Sequence, residues 1–184
     1  MNIIKRAALV LGLLFFAFVS WADPSFLLLL PMIFGHELAH GVAAAALGAK
    51  VRRLGIGMGP VTRTLGTIRG LEVVLSKYPI GLYVGIDAES HDRISRGGRV
   101  GIAFAGIAYN LVFGFALLAL GLPAYLVKVT FLLAAMNAVP VLPLDGGQAV
   151  MPFLDAEQRA QFKGVSSRLL VPVIAVLTVA SFLV

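Results

Sequence analysis

PSFLLLLPMIFGHELAHGVAAAALG, residues 24–48, is a long apolar run interrupted by a single polar cluster, His36-Glu37-Leu38-Ala39-His40. Read as a helix, it places positions i and i+4 on one face, so His36 and His40 can offer two imidazole nitrogens to one metal ion. Glu37 lies beside them, within reach of a proton on water at that metal. Putting ionisable groups into an apolar span is unfavourable, so their presence there points to function. The bland alternative is a chance HExxH whose histidines are merely hydrogen-bonded within a bundle.

The surroundings favour a membrane. The 184-residue chain is 59% hydrophobic and only 13% charged, with a mean hydropathy of +0.95. A soluble domain has about 25% charged residues, so the surplus apolar surface has to meet lipid. The length suits a single domain. No cysteine is present, which excludes disulfides and thiolate ligands and leaves His, Asp or Glu for any metal. A net charge of +6 and a pI near 10.1 could suggest nucleic acid. The basic residues instead gather at the ends of apolar segments and between residues 50 and 99, as the positive-inside rule requires. No nucleic-acid partner is therefore expected.

Five apolar segments are expected to be transmembrane: 7–22, 25–48 with the HExxH, 100–122, 124–142 leading into a broken stretch to 147, and 169–184. Lys5 and Arg6 hold the N-terminus in the cytoplasm; Lys50, Arg52 and Arg53, then Arg93, Arg96 and Arg99, and then Arg159, Lys163 and Arg168 mark the later cytoplasmic ends. Lys128 breaks the pattern and can snorkel. Segment 7–22 also has the three regions of a secretory signal peptide, ending at Ser20-Trp21-Ala22. Retention is favoured, with Trp21 at the outer interface. Residues 51–99 are rich in glycine and proline, but Leu71–Ser76 and Leu82–Ile86 have strand composition. They predict a small hairpin or sheet at the membrane surface, so the expected fold class is an all-α polytopic membrane protein with that β element between its second and third spans. Residues 156–163 read as a cytoplasmic connection.

A catalytic zinc wants three protein ligands and an open position. His91, in the polar stretch Glu89–Arg93, reads as a solvated surface residue, and Asp145 is the better third ligand. It ends Asn137-Ala138-Val139-Pro140-Val141-Leu142-Pro143-Leu144-Asp145-Gly146-Gly147, where prolines break a helix and glycines let the backbone turn tightly. Such irregular backbone at membrane depth is tolerated where it is buried in protein or lines a wet cavity. In Gly101–Gly114, small residues at four-residue spacing favour close helix packing, with Asn110 facing the interior.

With these motifs in this order, the sequence resembles the site-2 protease family of intramembrane metalloproteases over most of residues 30–150. The match rests on the HExxH and on Asn137–Gly146 as the family's N-x-x-P-x-x-x-x-D-G element. Gly55–Pro60 and Tyr78–Val84 are similar to a membrane-associated β-hairpin of bacterial members, and Ala105–Asn110 to the A-G-P-x-x-N stretch, with Ile107 in place of proline. The resemblance implies one zinc ion per chain held by His36, His40 and Asp145, Glu37 as catalytic base, and Asn137 as a catalytic residue that positions substrate or the oxyanion. It implies a bacterial cytoplasmic-membrane protease acting on a transmembrane protein substrate, near its cytoplasmic end. Val73, Leu75, Tyr83 and Asn110 are candidate substrate contacts, the first three on a strand able to pair with an extended chain. A PDZ domain, common in bacterial relatives after the β region, has no room between Asp87 and Arg99. The alternative is a non-catalytic zinc-binding membrane protein of the same fold that binds transmembrane partners.

Overall fold

The computed structural model describes residues 17, 18 and 20–183. All but the last few positions of the predicted segment 7–22 lie outside the described residues. A 3₁₀ turn, Pro24–Leu28, leads into α1, Leu29–Ala46. Two long strands follow, β1 (Val51–Ile68) and β2 (Leu71–Ile86), then a short α2 (Ala88–Asp92). The helices α3 (Arg96–Ala119), α4 (Ala124–Ala138), α5 (Asp145–Val150) and α6 (Ala156–Leu183) complete the chain.

Three helical stretches are long and apolar enough to cross a membrane: Pro24–Ala46, Arg96–Ala119 and Ala156–Leu177. Their exteriors are apolar, with Leu38, Val42, Val112, Phe115 and Leu118 among the side chains exposed. The buried side chains include His36, Asn110 and Thr130. Polar groups inside and hydrocarbon outside define a membrane protein.

Helix α3 is the hub, packing against α1, α4 and α5. Its inner face carries Ile102, Ala103, Gly106, Ile107, Asn110, Gly114 and Leu117, all buried at three- and four-residue spacing. Two glycines let α1 and α3 approach closely. A Cβ on Gly35 of α1 would fall 2.0 Å from the Tyr109 ring of α3, and one on Gly106 would fall 2.4 Å from His40. Tyr109 locks this crossing by donating its hydroxyl proton to the Pro31 carbonyl at 2.9 Å. Ser95 starts α3 by accepting from the Gly98 amide at 3.1 Å, as N-cap serines do.

The β region is larger than the sequence predicts, so the all-α class is corrected to a mixed one. Strands β1 and β2 contain 18 and 16 residues, and each is used twice. Residues 61–68 pair antiparallel with 71–76, and residues 51–56 pair antiparallel with 82–86. Arg53–Ile56 also lies against Glu72–Leu75, with numbering that rises in both runs. A four-run layer results, in the order 61–68, 71–76, 51–56, 82–86. The bends come from backbone only glycine adopts readily: Gly57, Gly59 and Gly81 all have positive φ. Arg69 and Gly70, both at positive φ, form the tight turn between β1 and β2.

A small core of Ala44, Ala49, Ile94 and Ile102, with Val51 and Ile86 against it, ties the sheet's two ends to α1 and α3. The run 82–86 is thereby held beside the HExxH, where Val84 packs 3.3 Å from the Cβ position of Gly41. The polar stretch 156–163, expected as a connection, forms the first turns of the 28-residue α6. Its charges precede the apolar part of the same helix.

Candidate metal centre

Helix α1 places His36 and His40 one turn apart with their Nε2 atoms 3.3 Å from each other. Asp145, the first residue of α5, brings Oδ2 to 3.2 Å from His36 Nε2 and 3.3 Å from His40 Nε2. Tetrahedral zinc with nitrogen and oxygen ligands at about 2.0–2.1 Å has ligands about 3.3 Å apart along each edge. The triangle thus has the dimensions of one face of such a site. Asp145 Oδ2 is buried without a hydrogen-bond partner, as expected of an atom reserved for a cation. Zinc is the ion this cysteine-free donor set fits.

Local sequence fixes each ligand. Asp145 is reached because Gly146 and Gly147 let the start of α5 press onto the chain leaving α4. A Cβ on Gly146 would fall 2.3 Å from the Ala138 carbonyl oxygen, and one on Gly147 2.5 Å from backbone at Val141. The His40 ring is oriented by the Ile102 carbonyl, 2.7 Å from Nδ1. A carbonyl only accepts, so Nδ1 carries the proton and Nε2 keeps its lone pair for metal.

His36 is oriented by Asn110, which is fully buried and has its side-chain amide 2.9 Å from His36 Nδ1. With nitrogen facing the ring, Asn110 Oδ1 is buried without a donor. In the reverse amide orientation Oδ1 accepts from Nδ1–H, and His36 Nε2 is left free for the metal. Asn110 is therefore a positioning residue for a metal ligand, one turn beyond the glycine that makes room for both rings. Replacing it with leucine, of similar size but without the acceptor, should weaken zinc binding about 10–100-fold. Asn110→Asp, which retains an acceptor there, should bind within a few-fold of wild type. Chelator competition on the purified protein measures both, and unchanged affinity in the leucine variant would contradict the assignment.

Beside the metal triangle lies a cavity of about 830 Å³ lined by Glu37, His40, Asp145 and Tyr83, among others. Glu37 projects into it, with the Val84 backbone amide as a hydrogen-bonding neighbour.

Not every expected residue converges here. Asn137 is in the last turn of α4, where its Nδ2 donates to the Leu133 carbonyl at 3.1 Å, and it does not line the cavity. The oxyanion role expected of it has no contact in this arrangement. Val73 and Leu75 belong to a run paired on both sides, so neither has a free backbone edge toward the site; Tyr83, on the outer run, does line the cavity. His91 is not a solvated surface residue. It is half-buried and lines the same cavity, and burial, followed by the neighbouring Arg99, pushes its imidazole below the usual range. Gly106 and the Ile102 carbonyl were not singled out as parts of the site. The four-residue spacing from Gly106 to Asn110 is the trace they leave in the sequence.

The architecture and site define a membrane protein with a His₂Asp cluster able to hold a metal ion, its histidines on one spanning helix and its aspartate on a short one. Residues 24–129, more than half of the chain, match peptidase family M50, and the chain belongs to that family. This agrees with the resemblance to site-2 proteases. It is also 32% identical over 122 residues to a protein of Campylobacter jejuni subsp. jejuni named a "putative zinc metalloprotease"; the match covers 59% of this chain and 32% of that protein. The chain thus spans about a third of that relative's length.

Proposed function

We propose that this chain is a zinc metalloendopeptidase that cleaves a transmembrane segment of a membrane-protein substrate near the cytoplasmic face, the chemistry of regulated intramembrane proteolysis. The observation that carries this reading is the His36–His40–Asp145 triangle, of zinc dimensions, opening onto a cavity that also holds Glu37. Zinc bound there supplies Lewis acidity toward water and the scissile carbonyl. Glu37 takes the proton of the attacking water and delivers it to the departing amine. The cavity admits the water this requires at a depth where lipid would exclude it.

Substrate must be extended to expose its carbonyls. The run 82–86 pairs with 51–56 on one side, and Tyr83 and Val84 face the cavity on the other. Its outer edge, where the Val84 amide meets Glu37, offers a place for an unwound segment to add as a further strand. The cytoplasmic assignment follows from charge. Arg96 and Arg99 begin α3, Lys50, Arg52 and Arg53 follow α1, and Arg159, Lys163 and Arg168 occupy the first half of α6. The opposite connection, Leu120–Pro123, has no charge. His40 lies six residues before the end of α1, about 9 Å inside that basic face.

The test is reconstitution in proteoliposomes with single-span substrates and mapping of the cut by mass spectrometry. Cleavage within the apolar span, stopped by a chelator and restored by zinc, is the expected result. Cleavage indifferent to chelation, or none with any substrate, would remove the reading and leave a non-catalytic zinc-binding protein.

A further inference from the structure

The cavity brings unlike groups together. Glu37, His40 and Asp145 line it, and so do Arg99, Arg159 and His91. Arg99 stands apart from the exposed basic residues of the membrane surface. Its side chain is only 17% exposed, and its Nε is buried without a partner. One terminal nitrogen donates to Oδ1 of Asp92, which also lines the cavity, at 3.3 Å, but that carboxylate is 73% exposed. Arg159 comes from α6, its Nε anchored to the Leu154 carbonyl at 3.0 Å. Two half-buried guanidiniums from different helices thus line one cavity, which a positive-inside bias alone does not require. Burial and the neighbouring Arg99 lower the His91 imidazole, which disfavours its charged form.

Their position relative to the metal is fixed by α3. Arg99 precedes Gly106 by seven residues, which is two turns along the same helix face and about 10 Å along the axis. Gly106 is where α3 touches both imidazoles. An extended peptide advances about 3.3 Å per residue, so about three residues bridge that distance. Leu82, Tyr83 and Val84 line the same cavity.

We propose that Arg99 and Arg159 form a subsite for a carboxylate side chain of the substrate, about three residues from the scissile bond on the side leading to the basic membrane face. This rests on the proteolytic reading above and adds a substrate class to it. Guanidiniums recognise carboxylates by paired charge-assisted hydrogen bonds. Most transmembrane segments carry Lys or Arg at their cytoplasmic end. Those flanks are repelled by the same pair, so ordinary spans are rejected and segments with an acidic flank are selected.

The experiment uses the full chain in zwitterionic proteoliposomes and three single-span substrates that differ only at the position three residues from the mapped cut: Asp, Ala or Lys. The Asp substrate should exceed the Lys substrate at least tenfold in kcat/KM, mostly through KM. Joint replacement Arg99→Glu and Arg159→Glu should invert the order, with zinc content per chain retained. Equal cleavage of all three substrates by the wild type overturns the subsite and leaves the protease reading intact. A preference that appears only when anionic lipid is added assigns the arginines to headgroups and likewise overturns it. No cleavage of any of the three sinks the protease reading itself.

Discussion

Gly106→Ala should yield a folded protein that no longer holds zinc. The new methyl would fall 2.4 Å from His40 Nε2 and 2.7 Å from His36 Nε2, distances at which something must move. Neither ring can retreat freely. His40 is tied through Nδ1 to the Ile102 carbonyl at 2.7 Å, and His36 through Nδ1 to Asn110 at 2.9 Å. Displacing either opens the triangle that Asp145 completes, and zinc affinity should fall by more than about 100-fold, beyond the loss caused by a missing outer partner. The helix itself gains, because alanine is favoured over glycine in a helix interior by about 1 kcal/mol. Gly101→Ala is the internal control, since its Cβ meets nothing within 4 Å. Metal analysis after dialysis, with melting of the metal-free proteins, separates the outcomes. Full zinc occupancy in the Gly106 variant would show that the rings are not confined as described.

What could be read from the chain follows the range over which its signals act. The His36–His40 pair is local, one helical turn, and the helix delivers it unaided. Asp145 is 105 residues further along, and only its broken-helix setting and the order of the motifs pointed to it. Asn110 was legible as an interior residue but not as the partner of His36, because that contact depends on how two helices cross. The extent of the sheet is hidden in the sequence for a different reason. Gly57, Gly59 and Gly81 look like loop residues, yet at positive φ they are the bends that let one strand be used twice. Once β1 doubles back, residues 72–75 become interior and lose the free edge expected of them, which passes to 82–86. Residues 156–163 look like a connection because a helix that begins outside the bilayer has polar first turns. His91 sits in a charged pentapeptide, and nothing in that composition reveals that α2 brings it to the cavity wall.

Glu37→Gln should separate binding from chemistry. Glu37 is adjacent to His36 but about 100° around the helix, so it projects into the cavity and stands outside the ligand triangle. Glutamine has the same length and can still accept from the Val84 amide. Zinc content and melting temperature should therefore match wild type. What is lost is the group that takes a proton from water and returns it to the amine, a contribution of about 10²–10⁴ in rate. The loss should appear in kcat with KM little changed, because the strand edge and the cavity that hold the substrate remain intact. Asp145→Asn makes the complementary case, removing the charged ligand and so reducing metal content and cleavage together. A Glu37→Gln protein that binds zinc and cleaves at the wild-type rate would show that the proton is carried by another group, and the cavity would have to be searched for it.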